Sequence, residues 1–536
     1  MQSSSVPHAS SQSSLFRANI HANMPTQAKV TQTTKQKKEN KDIKGTCNDV
    51  ALPSMTEPMV REARTPSEKH ASKVTVEAEQ MTNAAERIRK HGVIAHMFNY
   101  TIAEVMEELD AVEATGFNAI QLSPVQWTNE NGEEWFMRYQ PDGFGIGGPI
   151  GSKEELEKLV CEAGKRGIDI IADVVVNHQA DGNLETLRYP TQRIRDKYGV
   201  GEQFGPKHFN PRYCIVDWDN PEHVQSGRLC DVNAELPDLN HDDPYVIDQI
   251  HNFLQELVDL GVSGFRVDAV KHFAPRHFRA MFDRFAGKTY TFGEVIGTKD
   301  KLDPYLGKDF SFMDFPLFFT MSEAFKHGGS FNLLHDPIAF GAALASSQSV
   351  RFTINHDIPY NDGFRPLIME ERDQWLADVF VFGLAGGVVQ FFVDRHESFD
   401  GAPNTRWHDA HNREDLKAMI QFRKLMSDAP QMWCEHLTEQ KDGQPKKLCR
   451  DNDMAFQRGN DGIVLVNKSE YEWKQQIKVK MDDGAFVDLL TPGKTYYVKD
   501  GVIEVDYHQR GASMLVRKSV LDAQERAKQA KEQIAA

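Results

Sequence analysis

The sequence predicts an α/β chain: an eight-stranded parallel (β/α)8 barrel, a small inserted domain after its third strand, and a C-terminal antiparallel β-sandwich. Three observations predict it. Apolar strand-like runs alternate with helix-length amphipathic segments from Gly92 to about residue 425, the pattern of repeated strand–helix units around a parallel sheet. Four of those runs stop at polar or ionisable residues: Ile170-Ile-Ala-Asp-Val-Val-Val-Asn-His178, Gly264-Phe-Arg-Val-Asp268, Tyr290-Thr-Phe-Gly-Glu294 and Arg351-Phe-Thr-Ile-Asn-His-Asp357. A parallel barrel carries its chemistry at the strand exits. Beyond about residue 430 the pattern changes to short alternating runs parted by Asn-Asp-Gly, Asp-Asp-Gly and Lys-Asp-Gly turns, which reads as antiparallel strands.

Taken in order, residues 1–88 are rich in Ser, Gln, Thr and Lys and poor in aromatics. Such a segment cannot bury enough surface to fold alone and reads as a disordered leader. The barrel is expected over 89–428. Gly92–Asn99 is its first strand. Glu104–Thr115 follows as a helix with Val105, Leu109 and Val112 on one stripe and Gly116 as its stop. Asn118–Pro124 is the second strand, and Trp135–Pro141 an aromatic loop after it. A helix over Lys153–Ala163 leads to a third strand over Ile168–Val176. The excursion over 179–245 is several times longer than an ordinary loop and reads as the inserted domain. Asp248–Leu260 is the helix before the fourth strand at Gly264, and 275–286 the helix before the fifth at Thr289–Glu294. Ser311–Phe318, Phe352–Ile354 and Gly386–Val393 are read as strands six to eight. The sandwich is expected over 429–518 and a charged helical tail over 519–536.

Composition narrows the partners. The 536 residues carry 62 basic and 78 acidic side chains, a formal charge of −16, which disfavours nucleic acid and anionic membrane as the main partner. No apolar run approaches the roughly 18 residues of a spanning helix, so no transmembrane anchor is expected. The chain is read as a monomer acting on a neutral or soluble substrate. Cys214 with Cys230 and Cys434 with Cys449 bracket two loop-like segments and are expected disulfides, which suit an oxidising compartment. The N-terminus lacks the charged start and apolar core of a secretory signal. Localisation is left open between the two.

The four strand-end segments, in order and composition, resemble the four short motifs of the α-amylase family of glycoside hydrolases, and Leu236-Pro-Asp-Leu-Asn240 resembles a fifth. The resemblance implies a TIM barrel that cleaves α-1,4-glucosidic bonds of starch, glycogen or maltooligosaccharides. It implies Asp268 as nucleophile, Glu294 as general acid/base and Asp357 as transition-state stabiliser. His178 and His356 would bind sugar hydroxyls, and Lys271 would line the leaving-group side. Tyr139 would stack on the sugar beside the scissile bond, Trp135 further out, and the amide of Gln140 could hold a hydroxyl. A hydrophobic plug closing the barrel edge is the competing reading of that loop. Asn177, Asp238 and the backbone carbonyl of His272 look like ligands of a structural Ca²⁺, with other carbonyls and water filling 6–8 positions; otherwise the first two are ordinary hydrogen-bonded loop residues. Asn355 and Arg266 resemble two positions of a chloride site, but no third is identifiable and chloride is not predicted.

The residues themselves support that chemistry. In a strand Arg266 and Asp268 share a face, so Arg266 is expected to keep Asp268 ionised, while apolar Val295 and Ile296 beside Glu294 would raise its pKa. Adjacent strands lie about 4.8 Å apart, which puts the two carboxyls at roughly 5–5.5 Å, the spacing of a retaining mechanism. Transglycosylation uses the same residues. A Mg²⁺-dependent barrel enzyme is disfavoured by Arg266, and a barrel reduced to binding alone by the presence of all three acids. The eighth-strand segment, Gly386–Glu397, departs from the family pattern and supports no assignment.

Overall fold

Eight short parallel strands close into a barrel in the computed structural model, which describes residues 84–128, 135–230, 234–361, 363–395, 406–437 and 451–535. They are β1 Val93–Phe98, β2 Ala119–Leu122, β3 Asp169–Val174, β4 Gly264–Val267, β5 Tyr290–Gly293, β6 Ser311–Met313, β7 Ser349–Arg351 and β8 Val388–Asp394. Each pairs with its sequence neighbours, and β8 pairs with β1. All eight are buried along their length, as strands wrapped by helices must be, which explains their near-continuous apolar runs.

Helices cover the outside. A helix over 84–91, α1, buries Ala84, Ala85 and Ile88, and its Arg87 pairs with Asp169 at 2.7 Å. Residues 84–88 therefore pack on the barrel and do not belong to the leader; residues 1–83 lie outside the described residues. Helix α2, Ile102–Thr115, starts at a reciprocal cap between Thr101 and Glu104 and stops at Gly116 with φ 103°. Helices α3 Lys153–Lys165, α4 Pro244–Asp259 and α5 Pro275–Phe282 follow. Helix α6 is Phe315–Phe325, where the sequence suggested a longer strand. Asp314 caps it by accepting the Leu317 N–H at 3.0 Å, and Pro316 suits its first turn, so β6 has only three residues. Helices α7 Glu371–Gly383 and α8 Glu414–Leu425 complete the ring.

The seventh strand also sits earlier than expected. Past Arg351 the chain leaves the ladder, and Thr353 bonds the Asp378 carboxylate at 2.6 Å instead. Between β3 and α4 runs the long excursion, closed by a Cys214–Cys230 disulfide 16 residues apart in sequence. The second expected pair involves Cys449, which lies outside the described residues; Cys434 is a buried free thiol.

After the barrel come β9 Gln431–Trp433, β10 Glu435–His436, β11 Asp453–Arg458, β12 Gly462–Asn467, β13 Trp473–Lys478, β14 Gly484–Asp488, β15 Thr495–Lys499, β16 Val502–Tyr507 and β17 Gly511–Arg517. They form one antiparallel sheet in the order β9-β11-β12-β17-β14-β15-β16-β13-β10, doubled over as a sandwich. Ala455, Ile463, Leu465 and Leu515 fill its own core with Ile477, Val498, Ile503 and Val505. Their neighbours Met454, Phe456, Val464, Val466, Met514 and Val516 face the barrel core. Strands β11, β12 and β17 are thus buried on both faces, fixing the sandwich against the barrel. A last helix, α9, spans Lys518–Ala535. No described helix is long and apolar enough to cross a membrane.

Candidate active site

Strand register determines what meets at the barrel mouth. Asp173 of β3 sits opposite Arg266 of β4, and Val267 opposite Gly293 of β5, so Asp268 and Glu294 leave neighbouring strands at one level. The Glu294 N–H donates to the Val267 carbonyl at 2.9 Å, and the Val270 N–H to the Glu294 carbonyl at 2.9 Å. Gly264 permits the close approach of β4 and β5, since a Cβ there would lie 2.4 Å from the Tyr290 carbonyl oxygen. Directly after Asp268, Ala269 adopts a left-handed conformation with φ 50°, which costs on the order of 1–2 kcal/mol for a residue with a Cβ. Its N–H points at Glu294 Oε2, 3.2 Å away, so the strain positions a donor on the second carboxyl.

Arg266 is the hub. It is 1% exposed, donates to Asp173 at 2.9 and 3.1 Å and to Asp268 at 2.8 Å, and its other terminal nitrogen bonds Glu294. Asp268 and Glu294 therefore flank one guanidinium. Asp357 completes the group at the start of a short helical turn: its carboxylate accepts from Asn355 at 3.2 Å and shares a hydrogen bond with Glu294.

Four carboxyls thus share one cation, and this changes the electrostatics expected from sequence. Arg266 does not hold Asp268 in the ordinary carboxylate range. Burial raises Asp268, Arg266 offsets only part of that, Glu294 and Asp357 add to the rise, and the group ends at about 7. Burial likewise raises Glu294, with Asp357 adding to the effect and Arg266 opposing it. The expected elevation of Glu294 is present, and the proton has a place between Glu294 and Asp357.

In the sequence Asp173 sits inside an apolar run. It is fully buried, takes two bonds from Arg266 and accepts the Tyr139 hydroxyl at 3.0 Å. An acid inside an otherwise apolar strand requires a buried partner, and that signal was legible. His96 of β1, also buried, packs edge-on against His356 with ring centroids 5.5 Å apart; nothing in the sequence singled it out.

The aromatic loop is drawn into the mouth. Tyr139 stacks on His356 with centroids 5.2 Å apart and an interplanar angle of 11°, and its carbonyl meets His178 Nε2 at 2.9 Å. Burial keeps His178 and His356 neutral, at about 4 and about 3. Trp135 is half-buried and packs against Phe98, His356 and Tyr360, which gives it a structural share as well as an exposed part. Gln140 is half-buried beside it. The loop is tied down by Arg138, which donates to Asn99 at 2.6 Å, and Asn99 in turn bonds Asp394 of β8 at 3.4 Å. On the other side of the mouth, Lys271 lies over the Trp218 ring at 5.2 Å.

Asn177 and Asp238 meet where the excursion rejoins the barrel. The Asp238 carboxylate accepts from Asn177 at 3.2 Å and from Asn210 at 2.7 Å and is raised well above its ordinary range by burial. Asn177 Oδ1 is buried without a hydrogen-bond partner. Among the described residues Asp238 forms no ion pair, and a buried carboxylate beside an orphan amide oxygen fits a hard cation with oxygen ligands. His272 follows in the turn after β4, edge-on to Trp218 at 5.8 Å. Among the described residues no three His, Cys, Asp or Glu side chains converge on a metal-like group, so most ligands would have to be amide or backbone carbonyls and water.

Comparison with known proteins places the chain among relatives. The family model for the α-amylase catalytic domain matches residues 101–358. An α-amylase from Aeromonas hydrophila is 35% identical over 442 residues, covering 74% of this chain and 91% of the relative. A mutant α-amylase I from Eisenia fetida, solved in complex with maltohexaose, superposes with a TM-score of 0.65 at 20% identity, covering 80% of this chain and 97% of that one. A cyclomaltodextrin glucanotransferase superposes with a TM-score of 0.60 at 19% identity, covering 78% of this chain and 91% of its own. Given the match to the catalytic-domain model and the 35% identity to the Aeromonas hydrophila α-amylase, the chain belongs to the α-amylase family of glycoside hydrolases.

Proposed function

We propose that this protein hydrolyses internal α-1,4-glucosidic bonds of starch-like glucans by a retaining double displacement. The observation that carries the reading is the placement of Asp268 and Glu294 on neighbouring strand exits, bound to opposite ends of one guanidinium. Carboxyls held side by side leave no room for water between nucleophile and sugar. Asp268 attacks the anomeric carbon as the glycosidic C–O bond breaks, and Glu294 gives its proton to the departing oxygen. Glu294, now a base, then takes a proton from water, whose oxygen displaces Asp268 from the sugar. Asp357 and Arg266 balance the charge that develops on the ring and on Asp268. Tyr139, Gln140, Trp135, His178, His356 and Lys271 line the mouth and contact the glucan.

Asn177, Asp238 and the His272 carbonyl would hold a Ca²⁺ beside this site. Bound there, the ion would pair with the Asp238 carboxylate and would tie the excursion to the barrel.

A second reading, transglycosylation, is favoured by the fold shared with a glucanotransferase; it differs only in whether water or a sugar hydroxyl takes the glycosyl group. The test is Glu294→Gln. Turnover of soluble starch should fall by several orders of magnitude with native circular dichroism retained. A folded variant with near-normal turnover would remove Glu294 from the chemistry, and products longer than the starting oligosaccharide would identify transfer.

A further inference from the structure

At the end of the barrel opposite the carboxylates, the turn between α7 and β8 is wrapped by three guanidiniums. Arg423 of α8 donates to the carbonyls of Leu384 at 3.2 Å, Gly386 at 3.1 Å and Gly387. Arg351 of β7 donates to the same Gly386 oxygen at 2.8 Å and to Ala385 at 3.1 Å. Arg458 of β11 donates to Gly383 at 2.7 Å and to Ala429 at 3.0 Å. Among the described residues none of the three forms an ion pair. The C-terminal pole of α7 faces them, but a helix end offers only about half an elementary charge, which leaves most of three full charges uncompensated. Asp314 acts on Arg351 only from beyond ion-pair distance, and Asp428 is engaged at the rim with Lys90 at 3.5 Å.

Over this cluster opens a cavity of about 190 Å³ lined by Lys90 and His91 of α1, Arg423, Lys424 and Ser427, and Arg458 of the sandwich. Arg423 is 6% exposed, and its Nε, like His91 Nδ1, is buried with no hydrogen-bond partner. Burial, and then the charges of Arg351 and Arg458, pull Arg423 down to about 9. In a chain whose formal charge is −16, such a concentration of unpaired cations is local and specific. The neutral glucan of the barrel mouth has no use for it.

We propose that this cavity binds a tetrahedral oxyanion of the phosphate class. Guanidinium and ammonium donors with hydroxyl and imidazole neighbours suit such an ion. A water takes about 30 Å³ of liquid volume, so the cavity admits the anion with part of its hydration. Because α1, the barrel and the sandwich each contribute a side chain, the bound anion clips the three together and stabilises the native state by mass action.

The test is isothermal titration of the full chain with sodium phosphate against sodium chloride at equal ionic strength, with sodium sulfate as the isosteric arm. The expected result is one saturable phosphate site and a phosphate-dependent rise in melting temperature. Lys424→Glu and Lys90→Glu, both at the rim, should weaken phosphate binding at least about tenfold, a tenfold change being ~1.4 kcal/mol, while keeping the melting temperature measured without phosphate. If one variant fails to fold, the other carries the test. No saturable heat beyond that of chloride, or unchanged phosphate affinity in a folded rim variant, overturns the proposal; sulfate binding as tightly as phosphate supports it and assigns the site to tetrahedral oxyanions generally.

Discussion

Replacing Arg266 with Leu should move the pH profile of the enzyme, not merely lower its rate. Among the described residues Arg266 is the one cation bonded to Asp173, Asp268 and Glu294, and Asp268 stands at about 7 with its help. A charge pair about 4 Å apart at an effective dielectric near 20 is worth roughly 4 kcal/mol. At 1.36 kcal/mol per unit, its removal raises Asp268 by about three units. Below pH 7 the ionised fraction of Asp268 then falls about a thousandfold. The sign follows from the proposed mechanism: there Asp268 must lose its proton to attack, so the acid limb should move to higher pH. The assay is kcat/KM for a chromogenic maltooligosaccharide across pH, with circular dichroism to confirm folding and Arg266→Lys as the charge-conserving control. Arg266→Lys should keep the acid limb within about one unit while losing rate through the lost fork geometry. A folded Arg266→Leu enzyme whose acid limb coincides with that of the unsubstituted protein would refute the electrostatic account.

Further outcomes follow from other parts of the molecule. If Asn177 and Asp238 hold Ca²⁺, excess EDTA should lower melting temperature and activity together, and Ca²⁺ should restore both; identical melting curves with chelator and with Ca²⁺ would remove the ion. Non-reducing peptide mapping should recover a Cys214–Cys230 bridge and an unmodified Cys434, whose thiol burial pushes up to about 12. Reducing the bridge should cost about 3 kcal/mol by the loop-closure argument, whereas alkylation of Cys434 in the native state would show that it is not buried.

Much of the barrel was legible because buried parallel strands leave continuous apolar runs, and because the acids at their ends cannot belong to a core. The errors came where side-chain hydrogen bonds outweighed apolar pattern. Ser311–Phe318 reads as one strand by hydrophobicity, yet Asp314 and Pro316 begin a helix inside it. Phe352–Ile354 looks like the seventh strand, yet the ladder ends at Arg351. Helix 84–91 is too short and polar to be seen before its Ala84, Ala85 and Ile88 meet the barrel. At the site, Asp268, Glu294 and Asp357 converge as the motifs imply. The ionisation of Asp268 could not be read from Arg266 alone, because the same guanidinium also serves Asp173 and Glu294, and that sharing is set by register across three strands.

The central claim, that Asp268 attacks the sugar directly with Glu294 as acid and then base, is tested most directly by the configuration of the first product. Proton NMR of a maltooligosaccharide digest, recorded before mutarotation, should show the α-anomer appearing first, because two displacements at the anomeric carbon restore the starting configuration. Initial release of the β-anomer would contradict it, since a single displacement by water requires a wider carboxyl gap and leaves Asp268 no role as nucleophile.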